Sequence, residues 1–250
     1  MNQNTTNERM VPLEDFVPQT LIQIVRGTLL AQKELGETAT ISPPKFRTIV
    51  MKRSISREEI WKLEEFLLHA IAVAGKNSST TNAALQRFYK QAPKSCGPFN
   101  KIRYLDARKR LIDALRAARL GNYGKNERAF REAAESDIDL TSCTIGDLEN
   151  IHGVGPKSSR YFLLHSRGGE FAALDTHVLK WLREQGYDAP KTTPTGRKYK
   201  ELEAIFIKEA RKLGKPPAQL DREIWNSHSR SADLSRDAVT DSVGSILLTH

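Results

Sequence analysis

The sequence predicts an all-α protein, and three observations carry that reading. Apolar residues recur at three- and four-residue spacing through successive stretches of the chain. These stretches are closed off by cap and breaker residues of the kind that start and stop helices. No long segment alternates apolar and polar residues, and only the short run 48–51 would suit a strand. No repeat of fixed period is visible.

The elements follow in order. Residues 1–18 are polar, carry Pro12 and Pro18, and are expected to form a loose arm. A helix is expected from Thr20, with Leu21, Ile24, Val25, Leu29 and Leu30 on one stripe, and Pro43-Pro44 ends whatever precedes it. Ser56 and Glu59 have the spacing of a capping box. The helix they open carries Ile60, Leu63, Phe66, Leu67, Ile71 and Val73, and Gly75 then starts a polar loop over 76–81. Helical patterns continue over 82–89, 101–120 and 126–134, with breaks at 93–98 and 121–124. A short helix is expected over 145–151, with Thr144 placed to cap it and Gly153 just beyond its end. Further helices are expected over 157–165 and 176–184, then a linker over 190–196, then helices over 198–213 and 218–226. The stretch 229–250 is rich in Ser, Asp and Arg and reads as a mobile tail, so the domain is expected to span 19–228.

With 250 residues the chain can build one large domain or two small lobes with a real core. Hydrophobic residues make up 39% and charged residues 28%, ordinary for a globular protein. The formal net charge of +9 argues for a polyanionic partner, nucleic acid first and an acidic membrane surface second. No apolar run approaches the ~20 residues of a membrane span. The opening MNQNTTNERM lacks the apolar core of a signal peptide, so an intracellular protein is expected. Cys96 and Cys143 are the only cysteines and lie far apart, which excludes a disulfide framework, a cysteine zinc site and a four-cysteine iron–sulfur site. His165 and His177 are single histidines without metal-ligand partners in the pattern around them. No metal and no cofactor are expected.

The informative stretch is Leu148-Glu-Asn-Ile-His-Gly-Val-Gly-Pro-Lys-Ser-Ser-Arg-Tyr-Phe-Leu-Leu-His165: an amphipathic helix, Gly-Val-Gly, and a second amphipathic helix. Gly153 and Gly155 permit a tight turn and a close approach to another surface. Val154 can tuck between the helices, and backbone N–H groups at the second helix start would then face outward, where they suit a phosphate oxygen. Such a contact positions DNA without reading its sequence. Taken alone, the same turn also fits an ordinary helix–helix corner with a glycine cap.

Residues 150–157, followed by Ala173-Leu-Asp-Thr-His-Val-Leu-Lys-Trp-Leu182, resemble the signature of the helix-hairpin-helix DNA glycosylases, the superfamily that includes endonuclease III and the 8-oxoguanine glycosylases. The resemblance covers roughly residues 57–226. It implies two helical lobes with an active-site cleft between them. It also implies that Lys157, directly after the glycine turn, is the nucleophile of members that also cleave the strand. Asp175, 18 residues beyond Lys157 and at the head of the next helix, stands where the family aspartate stands, and Ser166-Arg-Gly-Gly-Glu170 matches the glycine-containing loop. The partner implied is duplex DNA with a damaged or modified base, bound by a monomer.

The chemistry suits these residue types. Breaking a base–sugar bond builds positive charge on the sugar, which a carboxylate stabilises, and an amine can capture the anomeric carbon as a Schiff base that permits elimination of the 3′ phosphate. The amine must be neutral to attack, and burial in a cleft favours that form. Read without the family, Lys157 is a solvated lysine at the unfavourable end of a helix dipole, and Asp175 is an N-cap. The cap role and the catalytic role are compatible.

The target base must leave the duplex to reach such a pair. By the resemblance the wedge that holds the gap open comes from the loop after Gly75, with Lys76 and Asn77 as candidates, although the glutamine or paired asparagine of relatives is missing there. The segment from Lys215 to Trp225 resembles the C-terminal part of the smaller and archaeal 8-oxoguanine enzymes, which makes Asp221 and Trp225 candidates for the base pocket. A helix-end charge and a core aromatic are their plain alternatives. Tyr161, Phe162 and Trp181 read as core. Lys101, Arg103, Arg108, Lys109 and Arg110 are expected to flank a DNA channel or to form a solvated face. The iron–sulfur cluster of several relatives and the N-terminal β-domain of the longer 8-oxoguanine enzymes have no counterpart in the sequence. Three functions stay open at this point: a glycosylase with strand cleavage through Lys157, a glycosylase using water and Asp175 alone, and a non-catalytic DNA-binding module. 8-Oxoguanine is the leading base, oxidised pyrimidines come next, and a modified base of viral or host-defence origin is a third option.

Overall fold

The computed structural model describes residues 55–228, which all belong to one compact unit. The arm 1–18, the helix expected from Thr20, the strand expected over 48–51 and the tail 229–250 lie outside the described residues. Among the described residues the structure is all helical.

Helix α1, Arg57–Ala72, starts at the expected capping box: the Glu59 amide donates to Ser56 Oγ and the Ser56 amide donates to the Glu59 carboxylate. Helix α2, Ser78–Tyr89, begins four residues before the expected start. Asn77 caps it by accepting from the Thr80 amide, and the polar run from Ser78 to Thr81 hides this first turn from any apolar pattern.

The stretch 101–120, expected as one helix, is two: α3, Pro98–Ala107, and α4, Leu111–Ala117. Lys109 between them has a φ of 55°, a left-handed conformation that stops the helix. A lysine in that role leaves no trace in the sequence, where glycine or proline would. Helix α5, Tyr123–Glu135, starts after two more left-handed residues, Arg119 and Asn122.

Helix α6, Ile145–Glu149, is capped by Thr144, which forms a second capping box with Asp147. Helix α7, Pro156–Arg167, has proline in its first turn, where a missing N–H costs nothing. Helix α8, Thr176–Glu184, has the expected bounds. Helices α9, Gly196–Lys212, and α10, Pro217–His228, complete the order.

The helices enclose two clusters of buried apolar side chains. The first lies among α1 to α7. Phe66 stands 5.3 Å from Tyr161 and 5.6 Å from Phe162, and Phe88 stands 5.7 Å from Phe130. The second gathers Leu174, Val178, Leu182, Tyr199, Phe206 and Ile224 from α8, α9, α10 and the strap before α8. Full burial of each such apolar side chain is worth about 1.5–3 kcal/mol. Helix α10 packs on both α8 and α7 and so joins the second core to the first.

Candidate active site

Gly153 ends the α6 turn with a φ of 78°, which a residue bearing Cβ adopts only at a cost. The preceding amide, that of His152, donates to Glu132 on α5 at 2.6 Å, so α5 braces the hairpin from outside. Val154 is buried in the first core, as the sequence implied, and fixes the hairpin from inside. Gly155 is the N-cap of α7, and no side chain caps that helix start. The positive end of its dipole therefore faces outward beside Gly153 and Gly155, a setting that favours an anion. Lys125 lies against the same turn: a Cβ on Gly153 would come within 3.0 Å of its Cε.

Lys157 sits in the first turn of α7, half-buried, with Nζ 5.5 Å from the centre of the Tyr161 ring. Tyr161 is one turn further along the helix and belongs to the core, so the lysine ammonium lies over a fixed aromatic ring. Asp175 caps α8. Its Oδ1 accepts from the His177 and Val178 amides, both at 2.9 Å, which holds the carboxylate at the helix start. The cap reading of Asp175 is thus correct in full.

Lys157 and Asp175, from the successive helices α7 and α8, line one cleft of about 960 Å³. Lys76, Asn77, Gly155 and Trp225 line it too. Lys76 is half-buried and donates to the Leu120 carbonyl at 2.7 Å. Burial, and then the nearby Lys125 ammonium, lower the pKa of Lys76 from the usual lysine value. Asn77 is exposed, with its carboxamide oxygen engaged in capping α2. Trp225 meets His177 edge to face, with ring centres 6.4 Å apart.

Asp221 is placed otherwise. It is 1% exposed and lies behind the cleft wall, its Oδ2 at 2.8 Å from His165 Nε2. Gly153 and Val154 stand at the hairpin beside the cleft rather than in its lining. Lys101, expected on a basic surface, is buried, because its ammonium is spent on the Pro93 carbonyl in the loop before α3, to which it donates at 2.6 Å. Arg103 bonds Asn100, and Arg108 covers the Tyr104 ring at 3.7 Å.

Sequence reasoning missed several lining residues: His69, His177 and the run Thr192-Thr-Pro-Thr195. His177 was legible as the neighbour of Asp175. The threonine run read only as a linker, and nothing local shows that it folds back over the strap. Tyr161, read as core, is both core and cleft wall. Among the described residues, no group of three His, Cys, Asp or Glu is arranged to hold a metal ion, and no helix is long and apolar enough to cross a membrane.

The chain is similar to curated proteins described as 8-oxoguanine DNA glycosylase/AP lyase. It is 36% identical over 78 residues to that of Thermoplasma volcanium, covering 31% of this chain and 37% of the relative. The protein of Picrophilus torridus is 31% identical over 78 residues, with the same coverage of both chains. That of Methanocaldococcus jannaschii is 34% identical over 80 residues, covering 31% of this chain and 38% of the relative. The matched region spans a little over one third of the length of these relatives. No family model and no solved structure matches the chain. The resemblance to helix-hairpin-helix glycosylases of the archaeal type is borne out by these relatives.

Proposed function

We propose that the protein is a DNA glycosylase with AP lyase activity, acting as an intracellular monomer on duplex DNA, with 8-oxoguanine as the favoured base. One observation carries the reading: an amine in the first turn of α7 and a carboxylate at the head of α8 line a single cleft next to an anion-favouring hairpin. The named activity of the relatives supports the same reading.

The hairpin of Gly153, Val154 and Gly155 holds the backbone of the damaged strand, and the turn with Lys76 and Asn77 fills the gap left by the flipped base. A cleft of about 960 Å³ has room for one extruded nucleotide. Trp225, braced by His177, offers the base a stacking face. Asp221 serves the pocket indirectly, through the α10 turn that carries Trp225.

Neutral Lys157 attacks C1′, and the base departs with the electron pair of the glycosidic bond and takes a proton. The new C–N bond loses a proton from nitrogen, O4′ gains one as the sugar ring opens, and a Schiff base results. Loss of a C2′ proton then expels the 3′ phosphate, and water releases the lysine. Asp175 stabilises the positive charge on the sugar and exchanges protons with the reacting groups.

Borohydride trapping tests this. The protein is incubated with duplexes carrying 8-oxoguanine, an oxidised pyrimidine or an abasic site. A covalent adduct is expected with the intact protein and none with Lys157→Gln. An undiminished adduct in that variant would sink the lysine assignment, and base release without any adduct or strand cleavage would favour water activated at Asp175. The base favoured in the panel fixes the substrate.

A further inference from the structure

Asp175 sits at the end of a buried strap, and the strap's polar groups are held by side chains of α9 and of the loop before it. Ala172, Ala173 and Leu174 are at most 1% exposed, so their backbone groups need partners inside the protein. Tyr199 on α9 donates its hydroxyl to the Ala172 carbonyl at 2.7 Å and accepts from the Leu174 amide at 3.3 Å. Glu203, one turn along α9, accepts from the Ala172 amide at 3.1 Å. Thr193 donates to the Leu174 carbonyl at 2.8 Å.

The same glutamate is gripped from α7. Arg160 is on α7, three residues after Lys157 and 7% exposed. Its Nε donates to both Glu203 oxygens, at 3.0 and 3.1 Å. One Nη donates to Glu149 at 2.8 Å and to the Pro156 carbonyl at 3.3 Å, and the guanidinium covers the Tyr199 ring at 4.6 Å. Arg160 thus touches α6, the first turn of its own helix and α9 at once.

We infer that Arg160, Glu203 and Tyr199 are positioning residues that set where Asp175 stands relative to Lys157; this rests on the catalytic roles proposed above for that pair. A continuous path of hydrogen bonds runs from the carbonyl of Pro156, the residue before Lys157, through Arg160 and Glu203 to the backbone of Ala172, and along three strap residues to Asp175. Packing alone would not require this. A nearly buried ion pair commonly adds little over an apolar pair of the same shape, whereas it fixes geometry in two directions. Displacement of about 1 Å between reacting groups is enough to slow chemistry on the order of 100-fold.

The test uses Glu203→Gln, Arg160→Lys and Tyr199→Phe in the full chain. The control is Arg131→Gln, which breaks the Asp106 and Glu127 pairs on α3 and α5, away from the cleft. Base release from an 8-oxoguanine duplex is measured in single turnover, at a temperature where melting curves show each protein folded. Affinity for a duplex with a stable abasic analogue is measured beside it. The three variants are expected to slow base release and borohydride trapping on the order of 10- to 100-fold. Their affinity should stay within about 2-fold, because hairpin and cleft lining are untouched. The control should lose melting temperature without losing rate. Rates within about 2-fold of the parent in the folded variants would overturn the inference. Tyr199→Phe, which keeps the ring and the ion pair, decides the matter if the charge variants do not fold. If the parent chain itself neither releases base nor traps, the glycosylase reading fails. If the parent acts and the variants act equally, only the positioning role fails.

Discussion

Asp221 Oδ2 and His165 Nε2 lie 2.8 Å apart, with the two side chains 1% and 2% exposed. The bond pins α10 to α7, one turn before Trp225 on the first helix and two turns after Lys157 on the second. Removing one partner leaves the other buried without it. Asp221→Ala is therefore expected to lower unfolding stability by about 3 kcal/mol. Asp221→Asn, whose amide still pairs with the imidazole, should lose clearly less. Urea unfolding of both variants checks this, and an unchanged midpoint for the alanine variant would contradict the contact.

Asp175 both caps α8 and faces the proposed chemistry, and the two roles separate by substitution. Asparagine caps as well as aspartate, so Asp175→Asn should change stability by no more than a few tenths of a kcal/mol. It removes the charge that meets the cationic sugar, so base release should fall on the order of 100- to 1,000-fold. Asp175→Ala should lose the cap as well, about 1 kcal/mol. Thermal melts paired with single-turnover assays distinguish the effects, and an active Asn variant would remove the carboxylate from the mechanism.

Gly153 has a φ of 78°, and an added Cβ would sit 3.0 Å from Lys125 Cε. The lysine chain can swing away, but the backbone conformation cannot change without opening the hairpin. Gly153→Ala is expected to cost about 1–2 kcal/mol and to weaken DNA binding. Calorimetry and anisotropy on an abasic-analogue duplex measure the two losses. Stability falling with affinity intact would place the DNA backbone elsewhere.

Lys76 titrates below the ordinary lysine range, first from burial and second from Lys125. A DNA phosphate at the cleft would favour its charged form and raise its pKa again. The complex then binds more protons than the free protein, so affinity should fall as pH rises through the free-protein value. Lys76→Gln should flatten that part of the profile. Anisotropy across the alkaline range provides the test, and an identical slope in both proteins would show that Lys76 does not meet the DNA.

The helix with strong local signals was the legible part of the fold. Asp175 before Thr-His-Val located α8 to the residue, and Ser56 with Glu59 located the start of α1. Lys109 breaks the stretch 101–120 by a left-handed turn that its side chain does not advertise. The first turn of α2 is built from Ser and Thr and was invisible to apolar periodicity. At the site, Lys157 and Asp175 were singled out by the resemblance to the glycosylase signature, whereas their local setting alone gives a first-turn lysine and an N-cap. Arg160, Glu203 and Tyr199 were not legible, because a charged residue on a helix looks solvated until its distant partner is known. Glu203 is 43 residues from Arg160, and no local spacing relates them.

Tyr199 and Glu203 grip the strap from a single face of α9, four residues apart. A helix turns about 100° per residue. An insertion or deletion of one residue between them would carry Glu203 a quarter-turn and more around the axis, away from both the Ala172 amide and Arg160. The chain before α9 is tied down as well, through Tyr187 to Glu209 and through Arg183 to the Ala189 and Pro190 carbonyls, but those contacts lie in irregular backbone that has no helical phase to keep. In descendants of this sequence, gaps should therefore be absent between Tyr199 and Glu203, which makes the spacing of that tyrosine and glutamate a register mark for aligning more distant relatives.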